Sequence, residues 1–287
     1  MNKKNSLISF GAVLTILTTF TFVLMFRNIT RDSYGLWGGL MMWVPAISAI
    51  FTSLIHKDSL KTYGWKPGKI KYLAFSYFVP LLVGITAYGV AWSLGIIEFY
   101  GDEASNYKWV RMLGIETPAP VLSGIASKLV SGTLIISVLA LGEEIGWSGF
   151  LIPELLKTFS IPVTSVIAGL FWSIWHYPAI IGGIYGYGVP LALTLIGFTL
   201  VLTGISLFKT YYVSKSKSLW PGVLIHTSHN VITMGILFDL TVKSKYAAYF
   251  VSESGIITAG IYVFGAILFY RFQIKRQLIK KSLTVKA

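Results

Sequence analysis

Cysteine is absent from the 287 residues, which excludes disulfides, thiolate metal sites and a cysteine nucleophile. Charge is scarce as well. Asp, Glu, Lys and Arg make up 12% of the chain, against about 25% in ordinary soluble domains. The shortage is mostly of acid, 11 carboxylates against 24 basic residues, for a net charge of +13. A nucleic-acid binder would gather that charge on a face with aromatic or groove-reading residues. Here the lysines and arginines fall between apolar blocks and at the ends, so no nucleic-acid partner is expected. There is no internal repeat and no low-complexity segment.

What the chain has instead is apolar residues, 54% of the total, in blocks long enough to cross a bilayer core, which takes about 20 residues of helix. Eight spans are predicted: Ser6–Phe26, Leu36–Ile55, Leu73–Leu94, Val121–Gly142, Ile161–Ile181, Val189–Phe208, Leu219–Phe238 and Ile256–Tyr270. Lys3 and Lys4 precede the first, as the basic start of a signal peptide would. Its apolar stretch is too long for one and no small-residue cleavage site follows, so it reads as a span. The expected fold class is an all-α polytopic bundle forming one membrane domain, residues 1–287, with the polar motifs gathered in 121–240. With both termini cytoplasmic, 17 lysines and arginines lie inside and six outside, with Lys128 in a span. That bias fixes the expected orientation. The outer connection Gly95–Pro120 is net negative and long enough to be a lid or an unstructured loop. The basic turn Gly64–Lys71, "GWKPGKIK", suits contact with anionic lipid headgroups. Richness in lysine and isoleucine points to an AT-rich prokaryote, hence to the cell membrane of a prokaryote. Oligomeric state is not legible.

Ionisable groups inside a bilayer are costly and suggest function. Those within or against the spans are Lys128, Glu143, Glu144, His176, His226, His229 and Asp239. Lys128 is placed to snorkel outward, and Asp239 lies at an outer edge. Glu143 and Glu144 stand where the fourth span is expected to end. Adjacent helical residues point about 100° apart, so one faces a given site and the other is free to hold a partner. His176 sits in "LFWSIWHYP". His226 and Asn230, in "LWPGVLIHTSHNVI", share a helix face at i, i+4 spacing, with His229 close by. Singly, each has an ordinary explanation as a packed histidine, an interfacial carboxylate or an aromatic belt. Together, two carboxylates, three imidazoles and an amide on three apolar helices should meet inside the bundle, because leaving each unpaired would cost several kcal/mol.

These residues carry a resemblance. Glu143–Ser148 matches the motif EExxxR except at its last position. Trp172–His176 matches FxxxH with tryptophan first, and His226–Asn230 matches HxxxN in full. The ordered triplet resembles the CAAX proteases and bacteriocin-processing enzymes, the Abi or CPBP family of intramembrane proteases, over roughly Ser137–Leu237. The resemblance implies an eight-span helical hydrolase that cuts peptide bonds at the membrane. Its implied partners are membrane lipid and a prenylated CAAX-type or hydrophobic peptide, and bacterial members are linked to bacteriocin maturation, immunity and peptide signalling. By this likeness Glu143 is the general base on the attacking water. A carboxylate among apolar walls is a better proton acceptor, which suits that role. His226 would hold the same water, while His176 and Asn230 would donate to the developing oxyanion. Glu144 would be supporting, with Ser148, Trp172 and His229 beside it.

The departure at Ser148 matters. The motif's arginine would pair with a glutamate, and a serine supplies no charge. Lys157 is the nearest cation in sequence but no obvious substitute. Activity would then be reduced, shifted to higher pH or lost. Trp172 is a milder change, since another aromatic can pack beside the histidine. No cofactor is expected. A zinc site of Glu143, Glu144, His176, His226 and His229 is the alternative, although H-E-x-x-H on one helix is absent. A silent membrane protein that binds a peptide or partner, such as an immunity factor, is the competing function. A proton-coupled carrier is a third, which intramembrane Glu and His would suit but the ordered motifs would not. Depth poses a further question. His176 lies about 22 Å along its span from Ile161, so that helix must tilt, start deeper or break for the motifs to meet.

Overall fold

A computed structural model describes residues 3–30, 33–99, 120–242 and 244–275. The expected lid or loop lies largely outside the described residues. The fold is all-helical, and the only β contact among the described residues is an isolated bridge, Phe99 to Thr241. Helices α1 (Lys3–Asn28), α2 (Tyr34–His56) and α3 (Ile70–Ser93) are followed by α4. That helix runs as Pro120–Ser127, a π turn Lys128–Gly132, Thr133–Glu144, a π segment Ile145–Leu151 and Ile152–Leu156. Then come α5 (Ile161–Ile181), α6 (Leu191–Ser216), and α7 (Trp220–Ser228) continued by a π segment, His229–Leu237. The short α8 (Lys245–Val251) and α9 (Ile256–Phe269) complete the bundle.

Among the described residues seven helices are long and apolar enough to cross a membrane, and the protein is an integral, multi-pass membrane protein. Large apolar side chains such as Ile16, Phe20, Phe78, Leu82, Leu134, Val138 and Ile174 face outward. That coat suits lipid, and in water it would aggregate. The segment expected as the remaining span, Leu219–Phe238, is helical as α7 and its continuation but falls outside the seven, and it carries two histidines and an asparagine.

Helix α6 is the hub, packed on α5, α7 and α9, while α2 packs on α4 and α3 on α7. Small residues let the backbones approach, as helices in lipid require. A Cβ on Gly146 would lie 2.6 Å from Pro45, and one on Gly142 2.7 Å from the carbonyl of Met42, which brings α2 hard against the Glu143 turn of α4.

Two expectations about depth change. The fourth span does not end at Gly142; it continues to Leu156, so Glu143 and Glu144 lie mid-helix. Thirteen residues separate Glu143 from Leu156, about 20 Å of helix, which matches the depth of His176 from Ile161 on the antiparallel α5. No break is needed, and α5 runs unbroken to Ile181 with Pro178 inside it. Lys128 does not snorkel outward. It is 8% exposed, donates to the carbonyl of Gly235 at 2.8 Å and pairs with Asp239, tying α4 to the end of α7. The basic turn is docked as well: Leu219 donates to the carbonyl of Gly64 at 3.0 Å and the Trp220 indole to the carbonyl of Trp65 at 2.7 Å. These bonds set where α7 begins.

Candidate active site

The two glutamates diverge. Glu143 lines a cavity of about 260 Å³, and so do His176, His226, His229 and Asn230. Its Oε2 accepts from the indole N–H of Trp172 at 2.7 Å and from that of Trp147 at 3.3 Å. Glu144 points away from the cavity and is fully buried. Its Oε1 accepts from Lys209 Nζ at 3.0 Å and meets His226 Nδ1 at 3.3 Å, while Oε2 accepts from Ser148 Oγ. A π segment begins straight after Glu144 and another at His229. Such distortions collect at functional sites because they re-aim side chains that a regular helix would space by 100°.

Lys209 is the residue that sequence reasoning missed. With the expected span Val189–Phe208, it falls among the 17 cytoplasmic lysines and arginines. In the structure α6 continues to Ser216, and the lysine is 1% exposed in the bundle interior. Its ammonium also lies over the Trp172 ring, 3.5 Å from the centroid. It supplies from another helix the charge that Ser148 cannot, and Ser148 adds a hydrogen bond to the same carboxylate. Lys157, the nearest cation in sequence, pairs with Glu154 instead. A lysine just past an apolar block was the available signal, but only the helix length places it.

Trp172 does more than fill the motif's aromatic position. Its N–H holds Glu143, its face holds Lys209, and its edge meets His226 with ring centroids 5.0 Å apart. Phenylalanine offers no N–H, so the indole makes a contact that the usual residue at this position cannot. Gly222 closes the back of the site. A Cβ there would lie 2.0 Å from Ser148 Oγ and 2.7 Å from Glu144 Oε2.

The histidines are polarised by their neighbours. His176 Nδ1 lies 2.9 Å from the carbonyl oxygen of Trp172. A carbonyl only accepts, so Nδ1 carries the proton and the neutral ring keeps Nε2 as an acceptor. His226 likewise turns its Nδ1 to an acceptor, the carboxylate of Glu144. The expected role of His176 as an oxyanion donor therefore requires the ring to take up a proton first. Asn230, whose amide donates without titrating, needs no such step. His229 turns the other way, its Nδ1 3.0 Å from the hydroxyl of Tyr262.

The cavity is two-faced. Phe22 and Met25 of α1 with Met41 and Met42 of α2 make an apolar wall, and α4, α5 and α7 supply polar residues to the lining. Among the described residues, no three His, Cys, Asp or Glu side chains group as they would around one metal ion.

Comparison with known proteins bears out the resemblance to the CAAX proteases. Residues 125–232 match the family described as type II CAAX prenyl endopeptidase Rce1-like. A 38-residue stretch, 13% of this chain, is 42% identical to CAAX prenyl protease 2 of Methanococcus maripaludis. That match spans 14% of the length of the curated relative. The matched region takes in α4 from Ile125, α5, α6 and most of α7, so it holds every residue of the two-glutamate site, Lys209 included.

Proposed function

We propose that the protein is an intramembrane endopeptidase of the CAAX-protease type, which hydrolyses a peptide bond of a prenylated or otherwise hydrophobic peptide with a water activated by Glu143. The observation that carries this reading is the convergence of Glu143, His176, His226 and Asn230, from three helices, on one cavity with an apolar wall. Trp172 and Trp147 orient the Glu143 carboxylate by donating to a single oxygen, Oε2. Oε1 is left to take a proton from water. The acceptor Nε2 of His226 holds that water by its second hydrogen.

The water oxygen adds to the carbonyl carbon as one of its two protons passes to Glu143. Asn230 donates to the resulting oxyanion, a contact worth about 10²–10³ in rate in comparable sites. The C–N bond then breaks as the amine nitrogen takes the proton from Glu143 or through His176. Glu144 does not touch the reacting atoms. It positions His226 by accepting from Nδ1, and Lys209 keeps it charged for that task. The alternative of a silent binding protein drew its support from the missing arginine, and Lys209 removes that support. The divergence of Glu143 and Glu144 favours water activated by a carboxylate over a zinc site that uses both.

The test is cleavage by purified protein in proteoliposomes. The substrates are a farnesylated CAAX peptide and a panel of hydrophobic peptides, with and without a chelator, beside Glu143→Gln and His226→Ala. Cleavage that survives the chelator and disappears in both variants is the expected result. Cleavage that chelation removes and zinc restores would replace the mechanism. Wild-type protein that is folded and cuts none of the peptides would count against the enzyme reading itself.

A further inference from the structure

The cavity holds a second carboxylate to which neither the motifs nor the mechanism gives a task. Glu253 lines it together with Glu143. It sits in the turn between α8 and α9 and is partly buried, and among the described residues it has no hydrogen bond and no ion pair. The turn is held rigidly. Ser252 Oγ donates to the carbonyl of Ala248 at 2.7 Å and accepts from the N–H of Ser254 at 3.2 Å. The turn packs so closely on α6 that a Cβ at Gly197 would lie 2.0 Å from the carbonyl oxygen of Ser254. The carboxylate is thus presented by a fixed element.

A second observation points the same way. His229 lines the cavity and is 4% exposed. The hydroxyl of Tyr262, on α9, satisfies its Nδ1, whereas its Nε2 is buried without a partner among the described residues. Buried polar atoms in native structures are almost always satisfied, and an exception asks for a missing partner. Among the described residues no lysine or arginine lines the cavity, and Lys209 is committed to Glu144 behind it. Among the described residues the space therefore carries two carboxyl groups and no facing cation. A charge withdrawn into apolar surroundings without a counter-ion is unfavourable, and a ligand that brings the counter-ion relieves it.

We propose that Glu253, with His229 beside the same cavity, is a specificity subsite for a cationic group of the substrate, a lysine or arginine side chain or a free amine. An ammonium or guanidinium carries several donors and no acceptor, which suits a carboxylate and an unpartnered ring nitrogen at once. The same charge disfavours an acidic residue at that position. This deepens the protease reading by naming a feature of its substrate, and it is open to test without cleavage.

The experiment measures binding to full-length Glu143→Gln protein in detergent, by fluorescence anisotropy of labelled farnesylated peptides. Each residue beside the prenylated cysteine is varied in turn to lysine, norleucine or glutamate. A parallel set compares free with acetylated N-termini, which separates a side-chain cation from an amine. At one position lysine should bind about tenfold or more tighter than norleucine, with glutamate weakest, as a charge-assisted contact implies. If the amine is the cation, the free N-terminus should show that advantage instead. Adding Glu253→Gln should bring the ratio to within about twofold, and adding Glu253→Lys should reverse the order of lysine and glutamate. No preference for a cation at any position, or a preference that Glu253→Gln leaves in place, would overturn the proposal. If wild-type protein cleaves nothing, the protease reading fails on its own while the binding ratio still decides this one.

Discussion

Replacing Lys209 with methionine keeps the length and apolar stem of the side chain and removes only its charge. The pair it makes with Glu144 is 3.0 Å long, with the two side chains 1% and 0% exposed. At an effective dielectric constant of about 20, two unit charges at that distance attract by about 5–6 kcal/mol. The ammonium over the Trp172 ring, 3.5 Å from its centroid, adds about 1–2 kcal/mol more when desolvated. Against this stands the cost of bringing both ions out of water, which makes the whole pair worth far less than the sum. Removing one partner is a different matter, because it strands the other charge; such changes cost about 3–5 kcal/mol. Ser148 and His226 still hold Glu144 in the variant, so the lower part of that range is expected. The assay is SDS-driven unfolding in mixed micelles, followed by tryptophan fluorescence, with peptide cleavage measured on the same preparations. Lys209→Met should lose about 3 kcal/mol and most of the cleavage rate. Ser148→Arg alone should gain nothing, since the site already has its cation and Gly222 packs against Ser148. The double variant should recover part of the loss, with a coupling of about 1–2 kcal/mol between the positions. Lys209→Met protein that unfolds and cleaves like wild type would refute the assignment of Lys209 as the replacement for the missing arginine.

Two further outcomes follow from the same geometry. Trp172→Phe installs the residue more usual at this motif position but removes the 2.7 Å N–H donor to Glu143; a hydrogen bond to a charged group is worth about 1.5–3 kcal/mol, so kcat should fall about tenfold or more with KM little changed. Gly222→Ala places a methyl group 2.0 Å from Ser148 Oγ, and overpacking costs about 1–3 kcal/mol. The same unfolding assay should show that loss, and Gly222→Ala/Ser148→Ala should regain part of it.

How much of this was legible in the sequence differs from element to element. The long apolar runs made α1, α2, α3 and α5 readable to within a few residues, because crossing a bilayer is a local demand on consecutive residues. The polar residues in those runs announced a site for the same reason, and their order carried the family resemblance. The end of α4 was misjudged because Glu143 and Glu144 look like an interface when only hydropathy is read. Tertiary partners, among them Trp172, Lys209 and His226, let the helix carry both carboxylates through its middle. The paths of Lys128 and Asp239 were obscure for the mirror-image reason: each alone reads as an edge residue, and only their pairing across 111 positions keeps both in the bundle.

The sequence alone thus determined that the chain is a helical membrane protein and which residues are costly enough in lipid to need one another. Only the tertiary structure decided how they are shared out, with Glu143 to the cavity, Glu144 to Lys209 and Glu253 to the cavity without a partner among the described residues. The physical reason is that a span is specified by neighbours along the chain. A counter-ion is specified by distance in space, and helix packing brings Lys209 to Glu144 across 65 positions of sequence.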